Sequence, residues 1–299
     1  MEPGHGDIAA WVSGVLGCAA SEVGAPIELD AGLNNRSFLI EAAGSRYVFR
    51  IPGPGTEDFV DRAAERRALQ VAFDLGLDTT YVDMDAATGW KLSRYLPDAR
   101  KLDYRDRHDV EQALRLVRAL HTSGRSVPAA FDFINDRARL LQLLERGGAQ
   151  LDADARELDA LAGRLEGYLR AHEGTPVLCH NDFYGENVLI ADSTMQLIDW
   201  EYAAMGQPVF DIGNFIAQGS GYTVAEALSV LDLYCERPAT AEEQTLCLAA
   251  TAYLGCYWYF WALCKAQVGD PVEEWLRAYE AAARRFGPAA LEAIGCDAR

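Results

Sequence analysis

No window of the 299-residue sequence reaches the roughly 18 uninterrupted apolar residues of a membrane-spanning helix. There is no internal repeat, no low-complexity tract and no Gly-x-Gly-x-x-Gly loop. Positive charge is scarce: 27 Lys and Arg face 45 Asp and Glu, a formal net charge of −18. Nucleic acids and anionic membranes both demand a basic surface, so neither is expected as a partner. A cationic substrate is compatible with that charge. The seven cysteines, an odd number, include no Cys-x-x-Cys pair. Cys247, Cys256 and Cys264 lie in apolar helical stretches, where a thiol acts as a small hydrophobe. That usage points to a reducing cytosol rather than a disulfide framework. The opening Met-Glu-Pro-Gly-His-Gly-Asp has no basic segment, so no signal peptide is expected and the expected location is cytoplasmic. No obligate protein partner is evident.

Half of the residues are hydrophobic, and the length suffices for one large or two modest domains. The stretch 177–215 organises the rest. Short apolar runs at 177–179 and 188–191 flank a polar loop, and a third at 195–198 ends in Asp199. Runs this short read as buried strands, which places His180, Asp182 and Asn187 on one loop with Asp199 at the end of a neighbouring strand. Phosphoryl transfer needs such a set. One carboxylate, Asp182, can orient and deprotonate an attacking hydroxyl. The Asn187 amide oxygen and Asp199 offer hard oxygen ligands for Mg²⁺. The spacing His-x-Asp-x₄-Asn followed by an Asp is that of a kinase catalytic loop. The plainer reading is a buried polar turn with two hydrogen-bonding carboxylates; on either reading His180 is expected to fix the loop rather than act as acid or base.

The pattern His180-Asn181-Asp182, Asn187, Ile198-Asp199-Trp200-Glu201-Tyr202 and Asp211-Ile212-Gly213-Asn214 resembles the kinase-like small-molecule phosphotransferases. Within that superfamily it looks most like the choline/ethanolamine kinase branch. It departs from protein kinases. Asn181 replaces an Arg, only 11 residues separate Asp199 from Asp211, and no Ala-Pro-Glu motif follows. The resemblance implies ATP as co-substrate, Mg²⁺, and a buttressing role for Asp211.

Earlier in the chain, an amphipathic helix is expected over 7–17 with Asp7 as N-cap. Strands are expected at 27–30, 37–41, 46–51, 80–84 and 90–96. The turn Ala31-Gly-Leu-Asn-Asn-Arg36 can expose backbone N–H groups. The resemblance makes it the phosphate loop, with Asn34 and Asn35 near the nucleotide, and makes Arg50 the phosphate-gripping cation. A helix over 57–75 carries Glu65 on one face with Leu69 and Phe73, and Glu65 is expected to pair with Arg50. A local pair with Arg62 or Arg66 is the alternative. The backbone of Arg94, Tyr95 and Leu96 is the candidate for the base edge, adenine or guanine alike. Helices follow at 106–122, whose terminal Leu120-His121 is assigned to packing, then at 133–147, 154–172, 223–236, 241–267, 271–286 and 288–294.

The helix 241–267 holds five consecutive aromatics, 257–261, and one apolar all round is a buried helix. Trp258 and Trp261 share a face. Aromatic faces hold cations at ~0.5–2 kcal/mol per contact. With Trp275 and Tyr202, they resemble the choline-binding end of choline kinases. Eukaryotic choline kinases carry an acidic residue shortly after Asp-Ile-Gly-Asn; here Gln218 stands in that region, which could favour another amino alcohol.

The expectation is therefore an α+β, two-lobed protein kinase-like fold. Residues 1–96 form a small antiparallel β-sheet lobe with one key helix, and 97–299 a larger, mainly helical lobe. The expected activity is ATP- and Mg²⁺-dependent phosphorylation of choline or a related amino alcohol. Alternatives are an aminoglycoside or other hydroxyl phosphotransferase of the same fold and, ranked low, a non-catalytic kinase-like binding protein.

Overall fold

The computed structural model describes residues 4–29, 35–53, 56, 60–192, 194–219 and 221–297. The chain forms two compact units, Met1–Arg100 with Ile190–Glu201, and Lys101–Leu189 with Tyr202–Arg299. The first unit thus extends a few residues past the expected break at 96, and it takes in a segment that was assigned to the second.

In the first unit, α1 (His5–Leu16) is capped by Gly4, not Asp7. Asp7 is the third helical residue, and its carboxylate accepts the Gly4 N–H at 2.9 Å. Strands β1 (Ile27–Leu29), β2 (Asn35–Ala42) and β3 (Ser45–Pro52) precede α2 (Arg62–Asp74); β4 (Tyr81–Met84) and β5 (Lys91–Arg94) follow. The sheet is antiparallel with order β1-β2-β3-β5-β4. Successive strand residues face opposite sides. On β3, Phe49 enters the core with Ile8, Val12, Ile40 and Leu92, where Trp11, Phe49 and Trp90 meet at centroid distances of 5.6–6.0 Å. Arg50, next along, faces the other way, toward α2. Of the helix expected over 57–75, residues 57–59 lie outside the described residues, and α2 runs from Arg62 with the Asp61 carboxylate capping it by accepting from the N–H groups of Ala63 and Ala64. Glu65 and Leu69 are buried as expected, whereas Phe73 is exposed.

The short β6 (Arg100–Lys101) leads into the second unit, with α3 (Arg107–His121), α4 (Phe133–Arg146), α5 (Ala153–Ala171) and β7 (Val177–Cys179). The chain re-enters the first unit within β8 (Val188–Ala191) and runs through β9 (Thr194–Leu197). There the Leu197 N–H donates to the Leu77 carbonyl at 2.8 Å, and Gln196 Oε1 accepts from the Thr79 N–H and hydroxyl. Those bonds tie 190–201 to the first unit.

Back in the second unit, β10 (Ala204–Gly206) pairs antiparallel with β7. Then come α6 (Pro208–Gln218), α7 (Val224–Cys235), α8 (Ala241–Gln267) and α9 (Glu273–Asp297). β10 and α6 were not expected as elements. α8 is the core helix: it is long and apolar enough to cross a membrane, yet 89% of its most apolar window is buried within the protein. α9 was expected as two helices but continues through Pro288. Packing overrides the breaker here, since α9 lies so close to α8 that a Cβ on Gly255 would come within 2.6 Å of the Ala283 nitrogen. Among the described residues, six cysteines are thiols outside any disulfide.

Candidate active site

The first unit holds a buried cluster of charges. Arg50, 4% exposed, pairs with the fully buried Glu65 through one nitrogen. Through its other terminal nitrogen it meets Asp199 Oδ1 at 2.8 Å. Arg62 reaches Glu65 at 2.8 Å, and Glu201 lies 3.7 Å from Arg62 and 3.8 Å from Arg50. Asn35 Nδ2 donates to Glu201 Oε2 at 2.8 Å. Lys91 sits opposite Arg50 in the β3–β5 register, 8% exposed, with Nζ 4.0 Å from Glu65. Burial works against every charge here. For Glu65, Arg50, Lys91 and Arg62 overcome it and hold the carboxyl below its ordinary value. For Glu201, burial and then Asp199 push the carboxyl up. Burial, then Arg50, lowers the Lys91 ammonium. Asp199 adopts a left-handed backbone, φ 66°.

In the second unit, β7 delivers the chain to the loop 180–187. Asp211, fully buried near the start of α6, accepts the His180 N–H at 2.8 Å on one oxygen and the Asn181 N–H at 2.6 Å on the other. The His121 Nε2 also meets Asp211 at 2.9 Å, while His121 Nδ1 meets the Tyr234 hydroxyl at 2.8 Å. Asn181 is left-handed, φ 63°, a conformation Asn tolerates, and its Nδ2 donates to the Tyr202 carbonyl. The Gly185 N–H donates to the hydroxyl of the half-buried Tyr104 at 2.6 Å. A Cβ on Gly185 would meet the Tyr104 ring at 2.7 Å, so that approach requires glycine. Lys101 Nζ donates to the Glu186 carbonyl. Asn187 Nδ2 donates at 2.9 Å both to the Asp182 carbonyl and to its Oδ2, which fixes the half-buried carboxylate.

Beside these, the aromatic side chains form one connected group. Trp258 lies 6.4 Å from Tyr202, 5.5 Å from Trp261 and 6.3 Å from Tyr279, and Trp261 stacks on Trp275 at 5.8 Å. Lys265 Nζ rests over the Trp261 ring at 5.6 Å, so that face already holds a cation.

Residues 27–245 match the family model described as the phosphotransferase enzyme family, APH. The chain belongs to that family. Protein LicA of Haemophilus influenzae is 28% identical over 218 residues, 71% of this chain and 63% of that protein. Its matched stretch thus spans less than two thirds of the relative's length. An Escherichia coli thiamine kinase is 29% identical over 187 residues, 61% of this chain and 62% of that one. Among solved structures, choline kinase LicA from Streptococcus pneumoniae superimposes with a TM-score of 0.78 at 22% identity, covering 94% of this chain and 98% of the other. The fold of this chain is therefore kinase-like.

The structure brings Arg50, Glu65, Asp199 and Asn35 together in the first unit. In the second it bonds Asn187 to Asp182 and the N–H groups of His180 and Asn181 to Asp211, and it groups Tyr202, Trp258, Trp261 and Trp275. Asn34 lies outside the described residues. At the expected base edge, the Arg94 N–H donates to the Thr80 carbonyl at 2.7 Å and the Tyr95 N–H to the Arg46 carbonyl at 3.0 Å, so these two donors are spent within the protein. His121 does more than pack, as its two ring bonds show. It lies four residues after Val117 and seven after Leu114 on the buried face of α3, a polar ring on an apolar stripe that the sequence displayed. Lys91 was missed because one Lys at a strand start looks like a solvated charge. Tyr104 carried no spacing signal, and Asn214 was quoted only as the last residue of the Asp211–Asn214 motif, without a role of its own.

For Mg²⁺, the donor chemistry fits. Asn187 spends its amide nitrogen on Asp182, which leaves a neutral oxygen to offer. Asp199 is a carboxylate whose side chain is 36% exposed. Both are hard donors of the kind Mg²⁺ takes.

Proposed function

We propose that this phosphotransferase is an ATP- and Mg²⁺-dependent small-molecule kinase whose acceptor is the hydroxyl of choline or a closely related cationic alcohol. The observation that carries the reading is the doubly anchored Asp182, held by Asn187 in a loop whose first two N–H groups end on one buried carboxylate. Asp182 orients the hydroxyl and takes its proton as the phosphoryl group arrives. Asn187 and Asp199 supply oxygens to Mg²⁺, which when bound neutralises phosphate charge. Arg50 grips phosphate oxygens, a task suited to a planar guanidinium, and Glu65 orients it. The base edge would meet the backbone of Arg94, Tyr95 and Leu96, through carbonyls where the N–H groups of Arg94 and Tyr95 are already spent. The aromatic group around Trp258 supplies cation-binding faces, and the choline kinase named above supports that choice of acceptor. The buried thiols of Cys179, Cys247 and Cys256 suit a reducing, cytoplasmic setting.

A second reading is thiamine, an aromatic cation with a primary alcohol. The stacked Trp261–Trp275 pair, at an interplanar angle of 22°, and the thiamine kinase relative both favour it. Steady-state ADP release with choline, ethanolamine, thiamine and kanamycin separates these readings. Choline is expected to give the highest kcat/KM. ADP release with none of the four would overturn the proposal, and a preference for thiamine would replace the acceptor.

A further inference from the structure

We propose that Asn214 is a positioning residue that ties Trp258 to the loop bearing Asp182; this rests on the kinase reading above. Asn214 lies on α6 and is fully buried. Its Oδ1 accepts the Trp258 indole N–H at 2.7 Å and a Gln218 amide hydrogen at 3.0 Å. Its Nδ2 points to the Phe183 carbonyl, one residue beyond Asp182, at 3.4 Å. Gln218 Oε1 in turn meets the Tyr279 hydroxyl at 3.5 Å, and the Tyr279 ring neighbours Trp258.

Ring packing alone is weakly directional. A buried indole N–H has one donor direction and pays a desolvation cost if it finds no partner. The Asn214 oxygen therefore sets the rotation of Trp258 among the five aromatic rings around it. The preceding Gly213 makes the meeting possible: a Cβ there would lie 3.0 Å from the Thr251 nitrogen, so α6 and α8 run unusually close. Only a carboxamide of this length offers an acceptor to the indole and a donor to the loop carbonyl at once. Asp accepts but cannot donate, and Leu does neither. The neutral amide of Gln218 is bound into the same arrangement.

The test compares Asn214→Leu, Asn214→Asp, Trp258→Phe and the double variant Asn214→Leu/Trp258→Phe in the full chain. Acceptor and ATP kinetics are measured, together with the Trp258 indole N–H resonance in ligand-free protein. Asn214→Leu and Trp258→Phe should each raise the choline KM about tenfold, the equivalent of one lost hydrogen bond to a buried group, with the ATP KM within about twofold of wild type. The double variant should be no worse than either single, since both remove one interaction. Asn214→Asp should keep the indole resonance near its wild-type position and lower kcat more than it changes the choline KM. Additive single effects, or an ATP KM rising in step with the choline KM, overturn the tether. So does an indole resonance unmoved by Asn214→Leu. If Asn214→Leu does not fold, Asn214→Asp and Trp258→Phe carry the same comparison. A wild type that turns over no amino alcohol would defeat the acceptor reading, while the indole measurement, which needs no substrate, still decides the tether.

Discussion

The two units hold their polar residues in different ways. Around Arg50 the bonds run from side chain to side chain, and each charge has more than one partner: Glu65 answers to Arg50, Arg62 and Lys91, and Arg50 answers to Glu65, Asp199 and Glu201. Around Asp182 the bonds run mostly from side chain to backbone, and each N–H has one acceptor. A cluster of charges with several partners each can trade one partner for another when an anion or a cation enters. A loop anchored through its main chain cannot, because moving one bond moves the whole chain. The first arrangement suits phosphate and metal. The second suits a carboxylate that must stand in one place.

Substitutions can test that contrast, beginning with the largest effect. Asp182→Asn keeps the loop bonds but removes the base, so kcat should fall by about 10²–10⁴ while nucleotide binding, followed by fluorescence titration, is retained. A near-normal kcat in the Asp182→Asn variant would remove Asp182 from the chemistry. Asp211→Ala removes the acceptor of the His180 and Asn181 N–H groups and the partner of one side of His121. A loss of about 3–5 kcal/mol is expected in urea unfolding. Glu65→Gln should cost less, about 2 kcal/mol, because Arg50 keeps Asp199 and Glu201. A Glu65 loss equal to that of Asp211 would erase the distinction between exchangeable and fixed bonding. The Glu65 effect should also depend on pH. Its folded carboxyl lies below the ordinary value of 4.5, so its stabilisation is complete above that pH and fades as pH falls through the folded value. Wild type and Glu65→Gln should therefore converge in stability on acidification. The smallest effect belongs to a surface control. Glu243 caps α8 beside Arg237, and its carboxyl is held down to about 2. Both side chains are more than a third exposed, so Glu243→Gln should cost less than about 1 kcal/mol, a difference lost between pH 4.5 and 2.

Much of this was legible in the sequence wherever local spacing and strand periodicity carried the information. The loop 180–187 between two short apolar runs, the Arg50–Glu65 pair and the helices 106–122 and 241–267 stand close to where they were expected. What could not be read depends on register and on three-dimensional approach. Lys91 joins the buried charges only because β3 and β5 pair Arg50 with it. Tyr104 reaches Gly185 from 81 residues away. α6 was missed although Asp211, Asn214 and Gln218 recur at i, i+3 and i+7, a polar stripe turned inward rather than to solvent. α9 runs through Pro288 because contact with α8 outweighs a local breaker.

Gly185 and Tyr104 show what such anchoring does for turnover. With the loop's amides committed before any ligand arrives, the entropy of ordering this segment is met during folding and does not recur in each catalytic cycle. Acceptors can then dock against a surface already in its working shape, so their binding should draw little on loop rearrangement.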